Sequence, residues 1–245
     1  MMMLFRFSGP VCCLLVQLIT FSVPVFADDD YIVYSPHVVK GQTEIESRAY
    51  AVSDSRPGFA PSNGYLLSLG HTFTDYWKSE VYVSEYQHLP GSGNSLYGHE
   101  WENTFQLTDR GEYIVDWGFL AAYSQHTLPG IADTLELGPL IEKDSGRLQQ
   151  RLNILAEKDL GSNATLRYAL RGGYALSYRV TNQFQPGFEA YYRPIDNAHQ
   201  IGPMIQGELF LANGKEVEYS FGVLRGLNNG APQNVIVARM SYEFF

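Results

Sequence analysis

The sequence predicts an all-β fold: an antiparallel up-and-down transmembrane β-barrel of about twelve strands. Three observations carry that expectation. Of the 245 residues 14% are aromatic, with 17 Tyr, 14 Phe and 3 Trp, yet the mean hydropathy is only -0.17. Apolar and polar residues alternate with period two along most of the chain, the signature of two-faced strands. The charged residues keep to one phase of that alternation. Low mean hydropathy excludes a bundle of transmembrane helices, and no stretch after the N-terminus is long and apolar enough to be a spanning helix. A barrel is compatible with it, because only every second residue meets lipid. The formal net charge of -9 argues against a nucleic-acid partner, which would need a basic face.

The N-terminus reads as an export signal. Arg6 supplies the positive n-region, residues 11–21 an apolar stretch, and Val25-Phe26-Ala27 a cleavage site after Ala27. Residues 1–27 are therefore expected to be a signal peptide. Cys12 and Cys13, the two cysteines of the chain, lie inside it. Disulfides, thiol catalysis and Cys-ligated zinc are thus excluded after cleavage. Residues 28–40, opening with Asp28-Asp29-Asp30, form a periplasmic N-terminal segment expected to be a solvated tail rather than a plug tucked into the lumen. Residues 41–245 make the barrel.

A weak first strand carries Ile45, Ala49 and Ala51 on its apolar face. Next come Tyr65, Leu67, Leu69 and Phe73, then Trp77, Val81 and Val83, then Trp101, Phe105 and Leu107. In residues 113–125 Tyr113, Val115, Trp117, Phe119, Ala121 and Tyr123 alternate with Asp116, Gly118, Ala122 and Ser124. Leu135, Leu137 and Ile141 follow, then Leu152, Ile154 and Ala156. The longest pattern runs from Leu166 through Tyr168, Leu170, Tyr174 and Leu176 to Tyr178. Phe184, Phe188, Ala190 and Tyr192 mark the ninth strand, and Ile201, Ile205, Leu209 and Leu211 the tenth. Val217, Tyr219, Phe221 and Val223 precede a last strand with Ile236, Ala238, Met240, Tyr242 and Phe244. Tight turns at 74–76, 109–111, 144–146, 181–182 and 212–214 are expected to alternate with longer loops, the periplasmic and extracellular asymmetry of such barrels.

The opposite face is assigned to the lumen. It carries Glu44, Glu46, Arg48, Glu80, Glu100, Glu102, Asp116, Glu136, Arg151, Arg167, Arg171, Glu189, Glu208, Glu218 and Arg239. A lipid-facing charge at mid-bilayer costs about 2–4 kcal/mol, which explains the exclusion. Glu85 and Arg225 share the apolar phase but lie near loops, and His71 is the awkward polar residue in phase with an apolar face. A soluble β-sandwich or lipocalin-like barrel alternates as well, with its apolar face inward. Similar strand lengths, aromatics near strand ends and an aromatic C-terminus favour the membrane. Pro139, Pro186 and Pro203 fall inside strands beside Gly138, Gly187 and Gly202, and are read as bulges that bend the wall.

At this point the chain resembles a known group. Tyr31-Ile32-Val33-Tyr34-Ser35-Pro36, followed by Gly41-Gln42-Thr43-Glu44-Ile45-Glu46, resembles the start of uncharacterised proteobacterial outer-membrane proteins. Residues 184–191, Gly138-Pro139-Leu140 and Gly202-Pro203-Met204 are similar to barrels grouped with meta-pathway phenol-degradation proteins. The resemblance implies an outer-membrane barrel and a channel for small organic molecules, and carries no functional residues to transfer. In many outer-membrane proteins the terminal Phe is in phase with the lipid-facing residues. Here Phe244 is in phase with Tyr242 and Met240, and Phe245 lies one beyond. Tyr242, Phe244 and Phe245 are the expected signal to the barrel-assembly machinery.

Three kinds of chemistry are weighed on this framework. The interleaved lumen charges fit either a salt-bridged plug or a narrow, mildly cation-selective passage with an arginine ladder, Arg167, Arg171 and Arg179, on the eighth strand. His88, His99, His126 and His199 fall at strand ends on one rim, where four imidazoles could bind a transition metal, though their spacing makes no local site. Ser124 and His126 point the same way at a strand end, as a hydrolase pair would, but lack an orienting third group. No cofactor is expected. The functional expectation is a narrow passive channel for small solutes embedded in outer-membrane lipid, with a closed-lumen structural barrel and then a membrane hydrolase as alternatives.

Overall fold

The computed structural model describes residues 31–56, 59, 62–89, 93–165 and 168–245. The signal segment 1–27, Asp28-Asp29-Asp30, Leu166 and Arg167 lie outside the described residues. Twelve strands occur in the described chain: β1 (Thr43–Ser53), β2 (Ser62–Thr74), β3 (Trp77–Leu89), β4 (Gly93–Gln106), β5 (Asp116–His126), β6 (Asp133–Ser145), β7 (Leu148–Leu160), β8 (Tyr168–Tyr178), β9 (Gln185–Arg193), β10 (Ala198–Phe210), β11 (Glu216–Gly226) and β12 (Asn234–Phe244). Each pairs antiparallel with its sequence neighbours, and β1 pairs with β12 from Thr43↔Phe244 to Ser53↔Asn234, closing the barrel.

Period two explains the wall. Leu69, Val81, Trp101, Ile154, Phe221 and Met240 stand exposed on the outer face, while Glu80, Glu102, Asp116, Glu142 and Glu189 between them are buried inside. A closed sheet leaves no unpaired edge, and its outward apolar band meets lipid without stranding a backbone polar group. Glu85 is a correction to the phase read from sequence. Register shifts in β3–β4 between Tyr82 and Tyr86 reset the alternation, so Glu85 turns inward and is buried beside Gln87. His71 is accommodated at the terminal end by Thr43 Oγ1, 2.9 Å from its Nδ1, and by edge contact with Phe73.

The prolines are a second correction. Register stays continuous past Pro139 and Pro203, since β6–β7 resumes from Leu137↔Ala156 to Leu140↔Asn153 and β10–β11 from Ile201↔Arg225 to Met204↔Gly222. Pro186 pairs in register with Ile205. What bends instead is the approach of the neighbouring strand. A Cβ on Gly138, Gly187 or Gly202 would sit 2.0, 2.0 or 1.8 Å from the carbonyl oxygen of Ile154, Leu176 or Val223. Only glycine permits that contact.

The turn asymmetry is weaker than expected. Residues 75–76 and 146–147 are two-residue turns at the end where β1 starts and β12 finishes, here called the terminal end, but the turn expected at 109–111 is part of the long connection 107–115. Tyr113 and Val115 therefore lie outside β5. At the far end only three residues separate β3 from β4, while Asp54 and Arg56 bind the connection 227–233. There Arg56 donates to the carbonyls of Asn229 (2.9 Å) and Ala231 (2.6 Å), and Asp54 accepts from Gln233 N (2.8 Å). The Arg56 guanidinium hydrogen-bonded to Asp54 holds that carboxyl down to about 2.

Candidate functional site: the lumen and its resident segment

The N-terminal segment is not a solvated tail. Tyr31, Val33 and Tyr34 are buried, and residues 31–38 run inside the barrel without joining any strand. Lys40 meets Asp75 at the terminal end (3.1 Å). From there the chain climbs past Gln106, whose Oε1 accepts from Val38 N (3.0 Å), and past Glu142, which accepts from Ser35 Oγ (2.8 Å). Asn153 grips the backbone of Tyr34 at both ends, accepting from its N at 2.7 Å and donating to its O at 3.1 Å. Tyr31 ends the climb edge-on to Tyr50 and Tyr191, at ring distances of 5.3 and 5.8 Å.

The inward face is less polar than its charges suggest. Tyr31 and Val33 pack with Met204, Leu224, Val235 and Val237, and Tyr34 packs with Leu120, Leu140 and Leu155. These residues fill the lumen at mid-height and towards the far end. They were missed because single Leu and Val residues between charges read as interruptions of a polar face. Asn153, alone between outward Leu152 and Ile154, was the one readable signal of the segment's grip.

Below this packed zone a half-enclosed cavity of about 550 Å³ opens between the segment and the terminal ends of the strands. Of the residues predicted to line the lumen, Glu44, Glu46, Arg48, Glu80, Glu102, Arg151, Glu208, Glu218 and Arg239 line it. Its charges are asymmetric. Register sets Glu208 opposite Glu218, Glu216 opposite Glu243 and Glu243 opposite Glu44, so four adjacent strands carry a carboxylate belt. Like charges directly across strands repel. Lys78 partly offsets them by pairing with Glu44 and with Glu80 (3.0 Å), and Gln42 donates to Glu243. Arg110, Arg151 and Arg179 line the same cavity from the loops and strands between β4 and β9.

The other predicted residues in the described chain are held by neighbours on the wall, on the connection before β5 or on the resident segment. Glu100 accepts from Ser124 Oγ (2.6 Å), Asp116 accepts from Gly111 N (2.8 Å), Arg171 pairs with Glu136 (2.5 Å) and Arg239 with Glu189. The arginine ladder does not form as expected: Arg171 is engaged by Glu136, Arg179 lies beyond the end of β8, and Arg167 is outside the described residues. Arg48 is held by Glu46 (2.7 Å) and sits 5.5 and 4.9 Å from the ring centres of Tyr34 and Tyr82.

His37, which sequence reasoning passed over, is the segment's titratable group. Its Nε2 lies 3.2 Å from Asp116 and 3.7 Å from Glu142. Burial pushes its pKa below the usual imidazole value, with Arg110 and Arg151 adding to the depression and Glu142 and Asp116 opposing it.

The rim histidines stay apart. His88 meets Asn94 (2.9 Å), His126 Nδ1 faces Ala132 O (2.7 Å), His199 stacks on Tyr192, and His99 points outward on β4. Among the described residues no three His, Cys, Asp or Glu side chains gather closely enough to hold a metal ion. The Ser124 hydroxyl is spent on Glu100 rather than on His126.

No protein-family model and no curated protein matches the chain. Solved structures do. An outer-membrane channel from Pseudomonas putida F1 superposes with a TM-score of 0.60 at 12% identity, over 84% of this chain and 96% of that one. The translocator domain of the autotransporter NalP from Neisseria meningitidis gives 0.57 at 11% identity, covering 85% and 90%. The KdgM porin in complex with disordered oligogalacturonate gives 0.54 at 10% identity, covering 82% and 98%. The fold is thus that of bacterial outer-membrane barrels. Its apolar outer band places the twelve strands in lipid.

Proposed function

We propose that the protein is a narrow outer-membrane channel for small solutes, with a charged vestibule at the terminal end and residues 31–38 seated in the passage. The observation that supports this best is the cavity of about 550 Å³: the barrel is hollow and charged below the point where its own N-terminal segment fills it. Lumen charges set selectivity in such barrels. The lumen residues, Glu44, Glu208, Glu218 and Arg151 foremost, are proposed to do so here. The resemblance to the meta-pathway phenol-degradation group is the basis for proposing small organic molecules as the solute class. Tyr242, Phe244 and Phe245 are proposed to address the chain to the barrel-assembly machinery after cleavage at Ala27.

A second reading, a closed structural barrel, draws on the packed zone around Leu120, Leu140 and Leu155 and on the ion pairs within the wall. Single-channel recording in a planar bilayer separates the two. The parent chain is expected to conduct rarely and in small steps. A full chain carrying Tyr31→Ala, Val33→Asp and Tyr34→Ala, which buries a charge against the apolar cluster, is expected to conduct in larger, longer steps. If both stay silent while remaining heat-modifiable, the closed-barrel reading stands.

A further inference from the structure

The barrel closes on itself without residues 31–38, so the segment is not needed to complete any sheet. The wall nevertheless holds it as a binding groove holds a peptide. Asn153, almost fully buried, reads the backbone of Tyr34 as a partner strand would, one amide end to N and the other to O. Gln106 adds a single contact, its Oε1 accepting from Val38 N. Neutral side-chain amides of this kind recognise any backbone in the right place, while sockets between them select side chains, the division of labour found in peptide recognition.

The sockets are present. A Cβ on Gly118 would lie 2.7 Å from Pro36 Cβ, and one on Gly173 would lie 3.2 Å from Val33 Cγ2, so both glycines make room for a particular side chain. Tyr31 fits between Tyr50 and Tyr191, and Tyr34 lies against the Arg48 guanidinium. With the segment gone, both ends of the Asn153 amide lose their backbone partners. An occupant with the same backbone donor and acceptor restores both hydrogen bonds.

We propose that the lumen is a peptide-binding track and that residues 31–38 are its resident occupant, standing in for short peptides with aromatic and aliphatic side chains ahead of a proline. The inference concerns binding and does not need conduction, so an electrically silent barrel that binds such a peptide upholds it.

The test uses a fluorescent nonapeptide copying residues 31–39 and a scramble of the same composition. The target is the full chain carrying Tyr31→Ala, Val33→Asp and Tyr34→Ala. The resident segment competes at an effective concentration on the order of millimolar. The peptide is therefore expected to bind this chain at least about ten-fold more tightly than the parent. Adding Asn153→Leu, or using the scramble, should each weaken binding about ten-fold, the equivalent of one hydrogen-bonded contact. Equal binding of the scramble, indifference to Asn153→Leu, or no saturable binding overturns the proposal. Should that chain fail to fold, Val33→Cys in the parent gives a second reading. Excess peptide, and not the scramble, should accelerate thiol labelling at position 33, and unchanged labelling overturns the proposal.

Discussion

His37 shows how one residue couples the segment to pH. Its pKa in the seated segment is lowered by burial, and a displaced segment would have an ordinary imidazole. The displaced state therefore takes up a proton first as pH falls, so seating is favoured above about 6.5 and weakens progressively below it. Thiol labelling of Val33→Cys is expected to rise between pH 7 and 5 relative to the same variant carrying His37→Gln. Matching pH profiles for the two would mean that His37 does not govern the seat. At this scale the sequence was legible where a residue obeys its strand's phase. Glu102, Asp116 and Glu189 are buried on the inner face as alternation requires. Glu85 was not legible, because a bulge leaves no mark in composition yet inverts every residue after it. His37 was invisible for another reason: its neighbours Asp116 and Glu142 are far away in sequence.

Among the elements, β10 and β11 show what a strand gives up to curve. Gly202 lets the Val223 carbonyl come closer than any side chain would allow. Gly202→Val is expected to force the strands apart and to cost about 1–3 kcal/mol, the usual range for overpacking. Gly172→Ala provides the contrast, because its Cβ would meet Tyr192 Cβ at an ordinary 3.5 Å. Comparing heat-modifiability midpoints of the two variants checks this, and equal midpoints would contradict the close-approach account. The strands themselves were legible because twelve alternating runs survive averaging over their neighbours. The lead-in was not. Residues 31–38 have no periodicity of their own, and their partners, such as Asn153 for Tyr34, are separated by 119 positions. Local pattern cannot report a contact of that range.

For the whole molecule, charge distribution is the property with a measurable consequence. The carboxylate belt of Glu208, Glu218, Glu216, Glu243 and Glu44 spans four adjacent strands at the terminal end, and the arginines face it from elsewhere in the vestibule. If the barrel conducts, reversal potentials in a salt gradient should show a cation preference. Glu208→Gln, Glu218→Gln and Glu243→Gln together should reduce or reverse it, while an unchanged preference would assign selectivity to another part of the lumen. The acidic balance of the sequence indicated the sign, but only the register shows that the carboxylates converge on one side.

The seam between β1 and β12 carries one more consequence. It is zipped along all of β1, and the chain enters the lumen beside it, where Gly41 N bonds Thr72 O (2.9 Å) and a Cβ on Gly41 would lie 3.9 Å from the terminal Phe245 ring. Once that seam has closed, a segment carrying two tyrosines, a proline and a histidine would have to be threaded past the charged vestibule to reach its seat. If the first strand instead waits unpaired for the last, its leading residues can settle against Asn153 and Gly173 while the cylinder is still an open sheet. Biogenesis then seats the resident occupant, and any later exchange with a free peptide has to pass through the charged vestibule.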